Sequence, residues 1–133
     1  MKTVIFACIH NAGRSQMAAA FFNALADGKV AMAQSAGTQP GLAVHPEVTQ
    51  VMKEVGLDLS RARPQLLTEQ LVSGATLLVT MGCGEVLPAL PGVSRADWPL
   101  LDPKGQSLDQ VRNIRDDVQR RVAALVEARL WSR

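Results

Sequence analysis

The segment from Met1 to Ser15 constrains this chain more than any other. Val4 to Ala7 is a continuous apolar run rather than an alternating one, as a parallel strand covered on both faces requires. The run ends at His10, Asn11, Gly13 and Arg14, too early for a signal-peptide core or a membrane span. From Ser15 to about Ala26 the period becomes helical. Met17, Phe21 and Leu25 form one apolar line, Ala18 and Phe22 widen it, and Gly28 is placed to stop it. A strand that passes through a short polar loop straight into a helix predicts a parallel crossover unit.

The same alternation continues. Val30 to Ala36 reads as a second strand, followed by a turn from Gly37 to Gly41. Pro46 suits the first turn of a helix whose face is Val48, Val51, Met52 and Val55, with Gly56 ending it and Leu57 folding back. Thr68 is placed to cap a short helix through Val72, Ala75 to Met81 reads as a third strand, and Asp97 to Leu100 as a short fourth. Ser107 and Gln110 match a capping box. The helix they open keeps Leu108, Val111, Ile114, Val118, Val122, Leu125 and Leu130 on one face. The 133 residues, 47% hydrophobic and without linker or repeat, predict a single domain over 1–133. The expected fold is α/β, a three-layer open parallel four-stranded sheet with helices on both faces.

Charge excludes several partner classes. The net charge is only +2. Six of the 14 basic residues follow Leu108, but Asp109, Asp116, Asp117 and Glu127 are interspersed with them. Asp116 with Arg120 and Asp117 with Arg121 have the spacing of helix-surface ion pairs. No nucleic-acid or membrane partner is expected. The two cysteines, Cys8 and Cys83, show no metal-type spacing, so no metal is expected, and without an export signal they point to a cytoplasmic protein with reduced thiols.

The chemistry concentrates in Cys8, Ile9, His10, Asn11, Ala12, Gly13, Arg14 and Ser15. A strand-loop-helix turn aims successive backbone N–H groups into a nest at a helix N-terminus, which suits a tetrahedral oxyanion. Gly13 lets the backbone curl close to a ligand. Asn11 tolerates the left-handed conformation and can bond its own loop. Arg14 offers a planar fork for two oxygens. Cys8 lies at the floor of this cradle, where the N–H groups and Arg14 favour a thiolate, and Ser15 can donate to its sulfur. A nucleophile of this kind needs an acid for the departing oxygen. Asp102, stiffened by Pro103 and following the fourth strand, is the candidate. His10 and His45 read as a solvent-facing loop residue and a helix N-terminal residue, and Arg61 and Arg63 as a solvated loop.

These residues carry a resemblance. CIHNAGRSQMA with a distal LDPKGQS is similar to the low-molecular-weight protein tyrosine phosphatase superfamily, and Gln16, Met17 and Ala18 resemble its arsenate reductase branch. SAGTQP (Ser35–Pro40), VTMGCGEVLP (Val79–Pro88) and DWPLLDPKGQSLDQVRNIRDDV (Asp97–Val118) extend the likeness over nearly the whole chain. The resemblance implies a nucleophile at Cys8, oxyanion contacts at Arg14 and the Asn11–Ser15 backbone, and an acid at Asp102.

It also bears on Cys83, just past the third strand between Gly82 and Gly84, where a parallel strand beside the first would bring it near Cys8. In the resembling reductases a cysteine in this stretch resolves the arsenic adduct. Thioredoxin-coupled relatives carry a third cysteine a few residues on, where Leu87 and Ala89 stand here, and glutaredoxin-type relatives place one where Met81 stands. A three-thiol relay is therefore excluded. Either a Cys8–Cys83 disulfide forms and thioredoxin, glutaredoxin or another dithiol reduces it, or a low-molecular-weight thiol attacks the adduct directly. The implied activity is arsenate reduction with an external thiol and no cofactor. The rivals are a phosphatase working through a phosphocysteine, which a chain without tyrosine and poor in aromatics is ill equipped to be, and a non-catalytic sensor of oxyanions, for which neither Cys8 nor Asp102 is needed.

Overall fold

In the computed structural model, which describes residues 1–82 and 88–133, the opening apolar run is β1 (Lys2–Cys8). Its side chains alternate between two cores. Val4, Phe6 and Cys8 belong to the larger, Ile5 and Ala7 to the smaller. Both sides are dry, so no position in the run can be polar. The chain continues through α1 (Arg14–Leu25), β2 (Ala31–Gly37), α2 (Pro46–Glu54), α3 (Glu69–Val72), β3 (Leu77–Thr80), β4 (Ser94–Asp97) and α4 (Leu108–Ala128).

The four strands are all parallel in the order β2-β1-β3-β4. Register pairs Cys8 with Gly37, Ala7 with Thr80, and Thr80 with Asp97, so four carboxyl ends lie along one edge. The order reverses between β1 and β3, which is where open sheets of this type bind ligands. The expected three layers are present but unequal. Helices α1, α2 and α4 bury Met17, Phe21, Phe22, Val48, Met52, Val118 and Val122 on one face. The other face has α3, whose Val72 meets Leu67, Ala75 and Leu78. No described helix is long and apolar enough to cross a membrane.

Several local expectations are met in detail. Gly56 adopts φ +84 after α2, and Leu57 N–H donates back to Met52 O at 3.0 Å. Thr68 caps α3 by accepting from Leu71 N–H, and Ser107 caps α4 by accepting from Gln110 N–H.

Others require correction. The fourth strand is Ser94–Asp97, not Asp97–Leu100. It is a largely exposed edge strand and so carries no apolar run. The apolar stretch after it is a loop, where Trp98 packs on Phe6 with ring centroids 5.6 Å apart and Pro99 has no N–H for a ladder. Helix α1 covers the expected span to within a residue at each end, but Gly28 is not what stops it. Ala26 leaves it in an extended conformation and bridges to Ser132. Leu130 is 87% exposed, because its φ of +60 beyond the end of α4 turns it outward and buries Trp131 instead. Trp131 packs edge-on against Phe22. Arg121 does pair with Asp117, at 3.3 Å, but Asp116 pairs with its neighbour Arg115 and leaves Arg120 to Asp117.

Candidate active site

The loop from Cys8 to Arg14 joins the central strand to α1. All its carbonyls through Gly13 are held from outside. Cys8 O, Ile9 O, His10 O and Ala12 O accept from the N–H groups of Thr38, Gln39, Gly41 and His45. Asn11 O accepts from Gln16 Nε2, and Gly13 O from Met17 N–H. Among the described residues, no acceptor takes the backbone N–H groups from His10 to Ser15. Helix α1 begins at Gly13 with no side-chain cap and no acidic residue in its first turn. Its orphan donors and positive dipole end are therefore left for an anion.

Asn11 holds the curve. It is fully buried at φ +51, a conformation that Asn tolerates. Its Nδ2 donates to Ser15 Oγ at 2.7 Å, and its Oδ1 accepts from Gln65 N–H at 2.9 Å. Ser15 Oγ in turn lies 2.8 Å from Cys8 Sγ. Cys8 is 2% exposed. His10 is less free than a solvent-facing residue, since its Nδ1 lies 3.0 Å from Gln39 O and pins the adjoining turn. His45 precedes α2 as expected, and its N–H fixes Ala12.

Arg14 and Asp102 come together from opposite ends of the sequence. Arg14 is buried, donates from Nη1 to Leu100 O at 3.1 Å, and places Nη2 3.8 Å from Asp102 Oδ2. Asp102 keeps 43% of its side chain exposed and accepts from Lys104 N–H through Oδ1, an Asx turn that leaves Oδ2 toward Arg14. Cys83 lies outside the described residues, as do Gly84 and Leu87. Its neighbour Gly82 sits at φ +82, where an added Cβ would lie 3.1 Å from Arg14 Nη1.

The sequence assigns no site role to Gln65, Gly37 or Thr80, and Gln16 enters only through the resemblance. Gln16, 5% exposed, gathers Asn11 O, Asn11 Oδ1 and Arg63 O around one amide nitrogen. Gln65 links Asn11 to Ser35 O, and Gly37 leaves the space a Cβ would take 2.6 Å from Ile9 O. Thr80 donates to Asp97 Oδ1 at 2.7 Å, tying the roots of the two strands whose loops reach the site. A polar residue in a first helical turn reads as surface unless a tertiary partner is known, so Gln16 carried a resemblance but no structural role.

A strand end, an anion nest closed by Cys8 and Arg14, and an acid on the facing loop are a phosphatase-like arrangement. The family model described as low molecular weight phosphotyrosine protein phosphatase matches residues 3–131. The chain belongs to this family. Within the low molecular weight phosphatase family it is similar to a Halobacterium salinarum protein provisionally named arsenate reductase, 39% identical over 92% of this chain and 89% of the other. A glutaredoxin arsenate reductase of Synechocystis is 36% identical over 95% of this chain and 97% of its own length. Among solved structures, the thioredoxin-dependent arsenate reductase of Corynebacterium glutamicum superposes with a TM-score of 0.85 at 34% identity over 96% of this chain, which spans 61% of that protein.

Proposed function

We propose that this protein reduces arsenate to arsenite, with Cys8 as nucleophile, Arg14 and the loop N–H groups as oxyanion cradle, and Asp102 as acid. The observation that carries the reading is the pairing of Cys8 Sγ with Ser15 Oγ at the floor of a loop whose carbonyls all bond outward. The arsenate reductases among its relatives favour reduction over phosphate ester hydrolysis.

Arsenate enters the nest and the Cys8 thiolate attacks arsenic. An S–As bond forms, an As–O bond breaks, and Asp102 gives its proton to the departing oxygen, which leaves as water. A second thiolate then attacks the Cys8 sulfur. The S–S bond forms, the S–As electron pair stays on arsenic, and arsenite departs. Two thiols have become one disulfide and arsenic has gained two electrons, so the scheme calls on no metal or organic cofactor.

We assign Cys83 as the internal second thiol. Cys8 and Cys83, the only cysteines in the chain, then supply the two electrons themselves, and an external dithiol of the thioredoxin or glutaredoxin kind, or low-molecular-weight thiols, must reduce their disulfide before the next turnover. Relatives of both protein-coupled kinds support that class of partner. A cytoplasmic location, where such thiols stay reduced, fits this chemistry.

The test supplies reduced protein and arsenate with a thioredoxin system, with glutaredoxin and glutathione, or with a small thiol, and measures arsenite. Arsenite should appear with at least one. Its absence with all three, beside brisk hydrolysis of an aryl phosphate, would transfer the assignment to a phosphatase.

A further inference from the structure

The geometry points to Pro103 and Gly13 as a matched pair that sets the height of the acid Asp102 over the Cys8 loop. We infer that Gly13 is glycine to seat the Pro103 ring, and that Pro103 is a positioning residue for Asp102. The inference rests on the proposed roles of Cys8 and Asp102.

A Cβ built at Gly13 would lie 2.6 Å from Pro103 Cγ and 3.4 Å from Pro103 Cδ. The first distance is well inside van der Waals contact, so the ring fills the space that glycine leaves. Gly13 has φ −144 and ψ −91, so no left-handed φ accounts for the glycine, and the ring above it leaves no room for a Cβ. Pro103 is itself buried, although it belongs to a loop whose neighbours Leu101 and Lys104 are exposed. A proline buried at that point has a packing role beyond stiffening a turn.

The acid segment is thus fastened on both sides of Asp102. Upstream, Leu100 O accepts from Arg14 Nη1 at 3.1 Å. Downstream, Pro103 rests on Gly13, and Pro103 O closes a turn by accepting from Gln106 N–H. Gly13 and Arg14 are adjacent, so one dipeptide at the start of α1 holds both ends of the segment that carries the acid. The proline ring has no rotatable side chain, which makes it a stiff spacer. A displacement of about 1 Å at a catalytic group can cost on the order of a hundredfold in rate.

The test is a double-mutant cycle on Gly13→Ala, Pro103→Ala and the pair, with wild type and Asp102→Asn alongside. Arsenite formation and the affinity of inorganic phosphate as competitive inhibitor are measured for each. Pro103→Ala should lower kcat severalfold with phosphate affinity within threefold of wild type. Gly13→Ala should lower kcat tenfold or more, because its methyl lifts the ring. In that background Pro103→Ala should raise kcat, since it removes the clashing Cγ and Cδ, reversing the sign of its effect in wild type. Wild-type kcat in Pro103→Ala, or a double variant whose loss is the product of the single losses, would overturn the inference. If Gly13→Ala fails to fold, the Pro103→Ala split between kcat and phosphate affinity decides alone. A wild type that forms no arsenite, or an Asp102→Asn variant as fast as wild type, would instead sink the underlying roles.

Discussion

Ser15 Oγ lies 2.8 Å from Cys8 Sγ, and Asn11 Nδ2 already donates to that oxygen at 2.7 Å. The amide occupies one acceptor position of the hydroxyl, so the hydroxyl's own hydrogen is left to point at sulfur. Ser15→Ala removes a hydrogen bond to a charged nucleophile, worth about 1.5–3 kcal/mol. Arsenite formation should therefore slow about tenfold to hundredfold at neutral pH. Steady-state kcat and the rate of Cys8 alkylation by iodoacetamide check this, and full turnover in Ser15→Ala would show that the hydroxyl does not serve the sulfur.

The Gln16 amide is the hub beneath that pair. Its Nε2 approaches Asn11 O at 3.0 Å and both Asn11 Oδ1 and Arg63 O at 3.3 Å. Gln16→Leu strands buried acceptors, at a cost of about 1–3 kcal/mol in stability. The urea midpoint should fall, and kcat should fall with it even well below the unfolding transition, because Asn11 no longer holds Ser15. A variant with reduced stability but unchanged kcat would make Gln16 a structural residue only.

Asp102→Asn keeps the shape of the acid and removes its proton. Arsenate turnover should drop about a hundredfold to ten-thousandfold. Hydrolysis of an aryl phosphate with a strongly acidic leaving group should suffer far less, because that group departs without a proton. Comparing the two substrates in one variant separates acid chemistry from damage to the cradle, and equal losses on both would contradict the assignment.

How much of this was legible beforehand follows from where each signal lives. Cys8, Asn11, Gly13, Arg14 and Ser15 are contiguous, and a strand, a tight loop and a helix were each visible in local periodicity, so the cradle could be assembled from sequence. Asp102 was reachable because the alternation of elements places both loops at strand carboxyl ends. Interactions that exist only in tertiary space left no trace. Pro103 over Gly13 joins residues 90 positions apart, and Gln16 reaches across to Arg63 O. Gly13, read from the sequence as leaving room for a ligand, also leaves room for the Pro103 ring. The displaced fourth strand shows the reverse failure. An exposed edge strand has no apolar run, and the run beside it belongs to a loop packed on Phe6.

Helices α2 and α4 are joined through the carboxylate of Glu54. Glu54 accepts from Arg112 Nη2 at 2.8 Å and from Arg115 Nη1 at 2.9 Å, while Arg112 also pairs with Asp109. The hydrogen bond from Arg112 holds the Glu54 carboxyl below its usual 4.5, with desolvation opposing and Arg115 adding to the effect. A carboxyl whose folded value is depressed gives up protons more readily in the native state than in the unfolded chain. Its contribution is therefore complete above pH 4.5 and is lost as the pH falls through its lower native value. Stability should decline on acidification in that window, and Glu54→Gln should decline less while starting lower at neutral pH. Because the pair is surface-exposed, about 1 M salt should narrow the difference between the two proteins at neutral pH. Urea midpoints from pH 7 down to pH 3 at low and high salt provide the measurement. Parallel curves for wild type and Glu54→Gln would mean that Glu54 does not link acid stability to the α2–α4 contact.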